Sequence, residues 1–245
     1  MKKIHKGRVK EIKQAAADLY YIKISAENFS AKAGQFVSIL CDNCTLRRPF
    51  SVMNCENGVI TILFKLKGKG TEYIKNLKIG DSVDFSGPFG NGFTIVPKRA
   101  LIVGAGVGIA PVYFLKNELE NNRIESRLIG GFLNKTAIPE EIKLDMISTD
   151  DGSLGKKGSI INFIRDEIKN YAPYVIYACG PAIVLQKICE IAASYGIATQ
   201  VAMEKEMACS IGVCRGCAIE LKNGKNVAVC KDGPVFNGED IKWQI

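Results

Sequence analysis

Histidine is almost absent: His5 is the single copy in 245 residues. Imidazole is the side chain that titrates near neutral pH and does most general acid–base work. One copy near the N-terminus leaves no Ser/His/Asp constellation, and no paired-acid arrangement replaces it. Long apolar runs are missing as well. The longest, "ALIVGAGVGIAPVYFL", is too short and too broken by glycine to span a bilayer. The opening "MKKIHKGRVKEIKQ" is charged with no apolar stretch behind it, so no signal peptide is expected. The expected setting is the cytoplasm, with no membrane, where thiols stay reduced. There is no internal repeat, no low-complexity linker, no basic run and no nucleic-acid-binding pattern. The net charge of +8 arises from 33 Lys and Arg against 25 Asp and Glu spread along the chain. Net charge alone says little about partners. It reads as solvated surface with some lysines near cofactor phosphates, and no nucleic acid partner is expected.

What is present falls into three textures. Up to about residue 97, "LYYIKIS", "QFVSILC", "GVITILFKL" and "DSVDFSG" are short β-branched or aromatic runs between Gly, Asn and Asp turns. That spacing predicts a small antiparallel β-barrel. From residue 98 the pattern becomes strand, glycine turn, helix. "ALIVGA" leads into a helix expected near Pro111, "ESRLIGGF" and "YVIYACG" are strands, and "GSIINFIRDEIKN" and "PAIVLQKICEIAASYG" are helices. Strands alternating with helices predict a doubly wound parallel sheet. The remainder, 204–245, is a small cysteine-bearing module. The expected fold is therefore multi-domain β and α/β, divided at 1–97, 98–203 and 204–245.

The module holds four of the nine cysteines, Cys209, Cys214, Cys217 and Cys230, with four, two and twelve residues between them. Two irons bridged by sulfide take four thiolates, and C-x4-C-x2-C with a distant fourth cysteine is the plant-type 2Fe–2S spacing. Small residues between the ligands let backbone N–H groups approach the sulfur atoms. Structural zinc usually takes two short C-x2-4-C pairs, and only Cys214 and Cys217 form one here. "CDNC" at Cys41 and Cys44 lacks a second pair and reads as ordinary thiols.

Two glycine turns mark the sheet. "LIVGAGVGIAP" sets Gly104, Gly106 and Gly108 between a strand and a helix, where a turn can approach a pyrophosphate at a helix N-terminus. The spacing is G-x-G-x-G, so the dinucleotide fingerprint is not met, and a ligand-free tight turn stays an alternative. "YACGP" repeats the geometry at Cys179, Gly180 and Pro181, at the sheet edge where open α/β folds bind ligands. Cys179 is either placed against a ligand or merely buried at a strand end. In the first part, "RRPFS" offers Arg48 as a fork for phosphate, Phe50 as an aromatic face and Ser51 as a hydroxyl. "KGKGTEYI" and "GPFGNGF" add glycine turns; singly each is no more than a β-turn.

Together, "RPFS", "GKGT", "GAGVGIAP" and "ACGP" resemble the ferredoxin–NADP reductase superfamily of flavoproteins. "LRRPFS", "GPFGNGF", "DGSLGKKG", "MEKEMACSIGVCRGC" and "VCKDGPVF" narrow the resemblance, nearly end to end, to the electron transfer subunits of B-type dihydroorotate dehydrogenases. The resemblance implies FAD held by Arg48, Pro49, Phe50, Ser51, Leu63, Phe64, Lys65, Gly70 and Thr71. It implies NAD as co-substrate near Gly104, Gly106, Gly108, Cys179, Gly180 and Pro181, and a 2Fe–2S cluster on Cys209, Cys214, Cys217 and Cys230. It also implies an FMN-containing dihydroorotate dehydrogenase catalytic subunit as partner, two of each in a heterotetramer, with the base for C–H chemistry on the partner. Electrons would pass from its FMN through cluster and FAD to NAD, in pyrimidine biosynthesis. A cluster bordered by Lys205, Arg215 and Lys231 would form the docking face. The rival readings are an NAD(P)H reductase subunit serving a ferredoxin, hydrogenase or sulfite reductase, and a zinc-stabilised binding module.

Overall fold

The computed structural model describes residues 4–42 and 44–243. In the first part the strands are β1 (Ile4–Gln14), β2 (Leu19–Ser25), β3 (Phe36–Ile39), β4 (Arg48–Ser51), β5 (Asn54–Glu56), β6 (Val59–Lys65) and β7 (Ser82–Phe89). The expected barrel strands are hydrogen-bonded as one seven-stranded antiparallel sheet in the order β4-β3-β7-β1-β2-β6-β5. β1, the strand the sequence pattern does not announce, sits at the middle. Ile4–Arg8 pair with β7, and Val9–Gln14 pair with β2 across a register shift. One charged strand thus serves two neighbours with its two halves. "KGKGTEYI" is not only a turn: Gly68 caps a helix, α1 (Lys69–Lys75).

The second sheet contains β8 (Ala100–Ala105), β9 (Ser126–Phe132), β10 (Met146–Thr149), β11 (Lys156–Lys157), β12 (Val175–Cys179) and β13 (Ala198–Ala202), joined by α2 (Ile109–Asn121), α3 (Ile164–Tyr171) and α4 (Ala182–Ala193). All six residues of β8 are buried, as a parallel strand covered on both faces requires. Its alternation divides the core. Ala100 and Ile102 pack with Val112 and Leu115 of α2, whereas Leu101 and Val103 pack with Ile164 of α3 and Leu185 of α4. The first helix begins at Ile109 rather than Pro111, after a 3-10 turn over Gly106–Gly108. Proline is tolerated there because first-turn N–H groups have no intrahelical partner. "GSIINF" likewise opens as a 3-10 turn, Ile160–Phe163, before α3.

The strand order β11-β10-β9-β8-β12-β13 leaves β8 in one direction and resumes at β12 in the other, so β8 and β12 flank the switch point. The cysteine segment is tied into this sheet. Besides the hairpin β14 (Ala218–Glu220) and β15 (Asn226–Ala228) and the one-turn α5 (Val229–Asp232), it supplies β16 (Val235–Asn237). β16 pairs antiparallel with β13. Cys217, Ile219, Val227 and Cys230 share a core with Leu185 and Ile188 of α4. A boundary at 203/204 therefore divides a sheet and a core. Among the described residues no helix is long and apolar enough to cross a membrane.

A cavity at the switch point and a loop of paired thiols

The three parts of the chain meet around a cavity of about 730 Å³, within the size range of cofactor sites. One wall is β3 and β4 with the end of β6: Phe36, Arg48, Pro49, Phe50, Ser51, Leu63, Phe64 and Lys65 line it. β4 forms because β3 is beside it, with Phe36 opposite Ser51 and Ser38 opposite Pro49. Phe50 and Phe64 meet edge to face, ring centroids 5.9 Å apart, so the apolar face is held by packing. β5 pairs with β6 only from Val59 to Thr61. Beyond Thr61 the outer edge of β6 has no strand partner among the described residues, which leaves backbone polar groups there for a ligand.

Arg48 crosses Gly70, the second residue of α1. A Cβ on Gly70 would lie 2.7 Å from Arg48 Cγ and 3.0 Å from its Nε. Glycine is what lets the guanidinium lie along the helix start, where it donates to the Leu46 carbonyl at 3.0 Å. Thr71 does local work: its hydroxyl accepts from the N–H groups of Lys67 (2.9 Å) and Gly68 (3.1 Å) and donates to the Gly68 carbonyl. The threonine shapes the turn that carries Lys67, Gly68 and Lys69 along the cavity.

The opposite wall is the switch point, with Val107, Gly108, Pro111, Cys179 and Gly180. Gly104 is buried inside β8, and Pro181 is exposed beyond β12; neither lines the cavity, nor does half-buried Gly106. Burial, reinforced by the Glu204 carboxylate, pushes the Cys179 thiol up to about 12. It is a neutral thiol across the physiological range. Ala202, Met203, Glu204, Lys205, Met207 and Pro234 complete the rim. Of these the sequence reading named only Lys205, as a border of the docking face; Met203, Glu204, Lys205, Met207 and Pro234 lie in stretches that carry the family resemblance, and none was expected to line the cavity.

The cysteine loop adjoins this rim. Its backbone enters the left-handed region at Ser210, Gly212 and Arg215, which coils the chain so that amides face sulfur. Gly212 N–H donates to Cys230 Sγ at 3.1 Å, Cys214 N–H to Cys209 Sγ at 3.4 Å, and Cys230 N–H to Cys217 Sγ at 3.4 Å. Burial opposes ionisation of Cys209, but the amides of Cys214, Ile211 and Val213 and the Cys214 thiol outweigh it and bring Cys209 down to about 6. Cys230 is pushed up to about 12 by burial and by its neighbour Cys217. The amide–sulfur bonds link Cys214 to Cys209 and Cys230 to Cys217, and Cys209 acts on Cys230 as well, so the four cysteines lie within reach of one another. Four thiolates at this C-x4-C-x2-C…C spacing are the donor set that two sulfide-bridged irons take. Cys217 and Cys230 are buried and Cys214 is exposed. Arg215 turns back to donate to the Asn226 carbonyl at 3.3 Å, and Lys231 covers Gly212. Ile211 and Val213, 51% and 75% exposed, stand out beside Cys214.

Residues 8–93 match the model of the oxidoreductase FAD-binding domain, and 204–242 match that of the iron-sulfur cluster binding domain of dihydroorotate dehydrogenase B. The dihydroorotate dehydrogenase B (NAD(+)) electron transfer subunit of Caldanaerobacter subterraneus subsp. tengcongensis is 35% identical, with 96% of this chain and 97% of that one covered. Its counterpart from Clostridium acetobutylicum is 34% identical over 91% of both chains. Among solved structures, an NADH-dependent reduced ferredoxin-NADP oxidoreductase superposes with a TM-score of 0.86 at 27% identity, covering 97% of this chain and 90% of that one. The flavohemoglobin of Malassezia yamatoensis, at 20% identity and a TM-score of 0.65 over 81% of this chain and 60% of its own, shares the fold.

Proposed function

Because the chain belongs to the electron transfer subunits of NAD-dependent dihydroorotate dehydrogenase B, we propose that it passes electrons from the FMN of a dihydroorotate-oxidising catalytic subunit to NAD through a 2Fe–2S cluster and FAD. Bound FAD would supply both hydride exchange with NAD and one-electron exchange with a cluster, the chemistry that suits it to the middle of such a relay. The observation that carries the reading is one cavity bordered by Phe36 and Phe50 of the antiparallel sheet, Gly108 and Cys179 of the switch point, and Met203–Met207 leading into the cysteine loop.

Within this reading the residues divide the work. Arg48, braced over Gly70, offers a fork to phosphate. Pro49, Phe50, Leu63 and Phe64 supply apolar faces, Ser51 a hydroxyl, and the β6 edge through Lys65 backbone groups. Gly70 and Thr71 keep the start of α1 close to the cavity. We assign NAD to the switch point with Gly104, Gly106, Gly108, Cys179, Gly180 and Pro181 around it; ligands of open α/β sheets bind at such points. Cys209, Cys214, Cys217 and Cys230 hold the cluster, supported by the closeness of their thiols and the amides aimed at them.

Three further readings go with it. The antiparallel sheet curls as a barrel, supported by Phe50 of β4 reaching Phe64 of β6 between strands that share no hydrogen bonds. The functional division of the chain follows 1–97, 98–203 and 204–245. The catalytic partner docks over Cys214 in a cytoplasmic heterotetramer. With Arg215 and Lys231 folded onto the loop, Ile211 and Val213 make that docking face apolar at its centre.

Anaerobic purification tests the proposal: flavin and cluster absorbance, with two irons and two acid-labile sulfides per chain, are expected. Copurification with an FMN subunit that turns over dihydroorotate with NAD is also expected. A second reading, a reductase subunit serving ferredoxin, is favoured by the likeness to the ferredoxin-NADP oxidoreductase. A chain that purifies without an FMN subunit and reduces ferredoxin with NADH would establish that reading instead.

A further inference from the structure

Ser38 and Ser210 are 172 positions apart in sequence, and the Ser38 hydroxyl donates to the Ser210 hydroxyl at 2.8 Å. Both are buried, Ser38 completely and Ser210 to 3% exposure. Ser210 follows the first cysteine of the loop and holds φ = 58°. That region is costly for any residue with a Cβ and is the natural place for glycine. The chain instead keeps a serine, and the hydroxyl that glycine would lack is the one that meets Ser38. A buried hydroxyl without a partner is unfavourable, so each serine needs the other.

The other end of the bond is anchored. Ser38 lies in β3 two residues from Phe36, and alternate residues of a strand share a face about 7 Å apart. Phe36 lines the cavity. One short strand thus presents Phe36 to the cavity and Ser38 to the cysteine loop. Beside it β7 carries a bulge: Phe36 pairs with Phe89 but Ser38 pairs with Ser86. Bulges re-aim side chains and are common next to functional sites. Behind Ser38, its carbonyl accepts from the Ser86 hydroxyl and from Arg47 Nη1, each at 3.5 Å. Arg47 is itself paired with Asp84 at 2.7 Å. The loop's own hydrogen bonds turn inward, from Gly212, Cys214 and Gly216 to cysteine sulfurs and from Arg215 to Asn226.

We propose that Ser38 and Ser210 are positioning residues, a latch that fixes the cysteine loop against the strand forming the cavity wall and so sets the separation between cluster and flavin. The proposal rests on the assignment of those two groups above. Electron transfer falls steeply with distance, so a loop that settles an ångström or two farther from the cavity wall passes electrons more slowly.

The test uses the whole protein, purified anaerobically with its catalytic partner, as Ser210→Gly, Ser38→Ala and the double variant. Ser210→Gly removes the hydroxyl while relieving the backbone, so it keeps the fold. Amide exchange across 209–217 should accelerate roughly three- to tenfold in either single variant, the range that one net hydrogen bond carries. The double variant should match the singles instead of multiplying them, because the two serines share one interaction. In stopped flow with NADH, flavin reduction should keep its rate while cluster reduction slows, and Ser38→Thr should restore it. Unchanged exchange and unchanged cluster reduction in both single variants, or multiplicative effects in the double variant, would overturn the latch. Wild-type protein lacking iron would instead overturn the functional assignment, and the exchange measurement separates the two.

Discussion

Gly108 lies directly against the Cys179–Gly180 peptide: a Cβ added there would stand 2.6 Å from the Cys179 carbonyl oxygen and 2.7 Å from the Gly180 nitrogen. The two strand-to-helix turns of the switch point are thus in backbone contact, and both line the cavity. Gly108→Ala must push them apart. Overpacking of this kind costs about 1–3 kcal/mol, or about 2–4 °C in Tm per kcal/mol for a chain of this size. Flavin content should survive while flavin reduction by NADH slows; thermal unfolding and stopped-flow absorbance read the two effects. An unaltered hydride step would separate this contact from the NAD site.

Cys214→Ser should abolish the cluster bands and electron transfer from the partner, yet largely spare NADH oxidation by a dye acting through FAD. Absorbance, iron content and the two assays check it. Equal loss of dye reduction with FAD still bound would reverse the proposed order of carriers.

Arg48→Ala removes the fork that lies over Gly70. A hydrogen bond to a charged group contributes about 1.5–3 kcal/mol, roughly ten- to hundredfold in affinity. FAD should dissociate more readily by that factor, as fluorescence on dilution would report, while iron content holds. Retained affinity would remove Arg48 from the phosphate site.

Cys179 should be silent where ordinary thiols react. A free thiol is half ionised near pH 8.5, about the unfolded value, but burial first, then Glu204, holds this one up to about 12. The folded state keeps the proton, so the contribution to stability is complete below the unfolded value and is lost as pH rises towards 12. Alkylation followed by peptide mass spectrometry should find Cys179 unmodified at pH 8.5 in native protein and modified after denaturation. Cys179 is half-buried and lines the cavity, so rapid native labelling at that pH would contradict the raised thiol rather than a lack of access.

Val213→Asp places a charge on the most exposed apolar side chain of the cysteine loop. Isolated subunits should keep flavin and cluster spectra, while copurification of the catalytic subunit falls by tenfold or more, the scale of a like-for-like loss of about 1.4 kcal/mol. Undiminished copurification would move the docking face elsewhere.

The legible parts of the sequence were those where local pattern and tertiary role agree. β8 is apolar on every residue because both faces are covered, and the spacing from Cys209 to Cys230 is the plant-type 2Fe–2S pattern, inside the stretch that matches an iron-sulfur cluster binding domain. β1 was hidden because it is charged and its two halves pair with different strands. α1 was hidden because its start reads as a glycine turn, whose cap the Thr71 hydroxyl closes. The rim residues Met203, Glu204, Lys205 and Met207 lie in a stretch that carries the family resemblance, but their place at the cavity follows from β13 ending beside β12, which no local pattern reports. The contact between Ser38 and Ser210 joins distant segments, and no short-range pattern reports it.

β16 has one more consequence. A chain cut just ahead of the cysteine-rich stretch would strip β13 of its outer neighbour and present a bare row of amides and carbonyls to solvent. Such rims recruit strands from other molecules. The iron-binding tail therefore doubles as a selvedge for the nucleotide-type sheet, and shortened versions of the protein should self-associate where the intact chain stays dispersed.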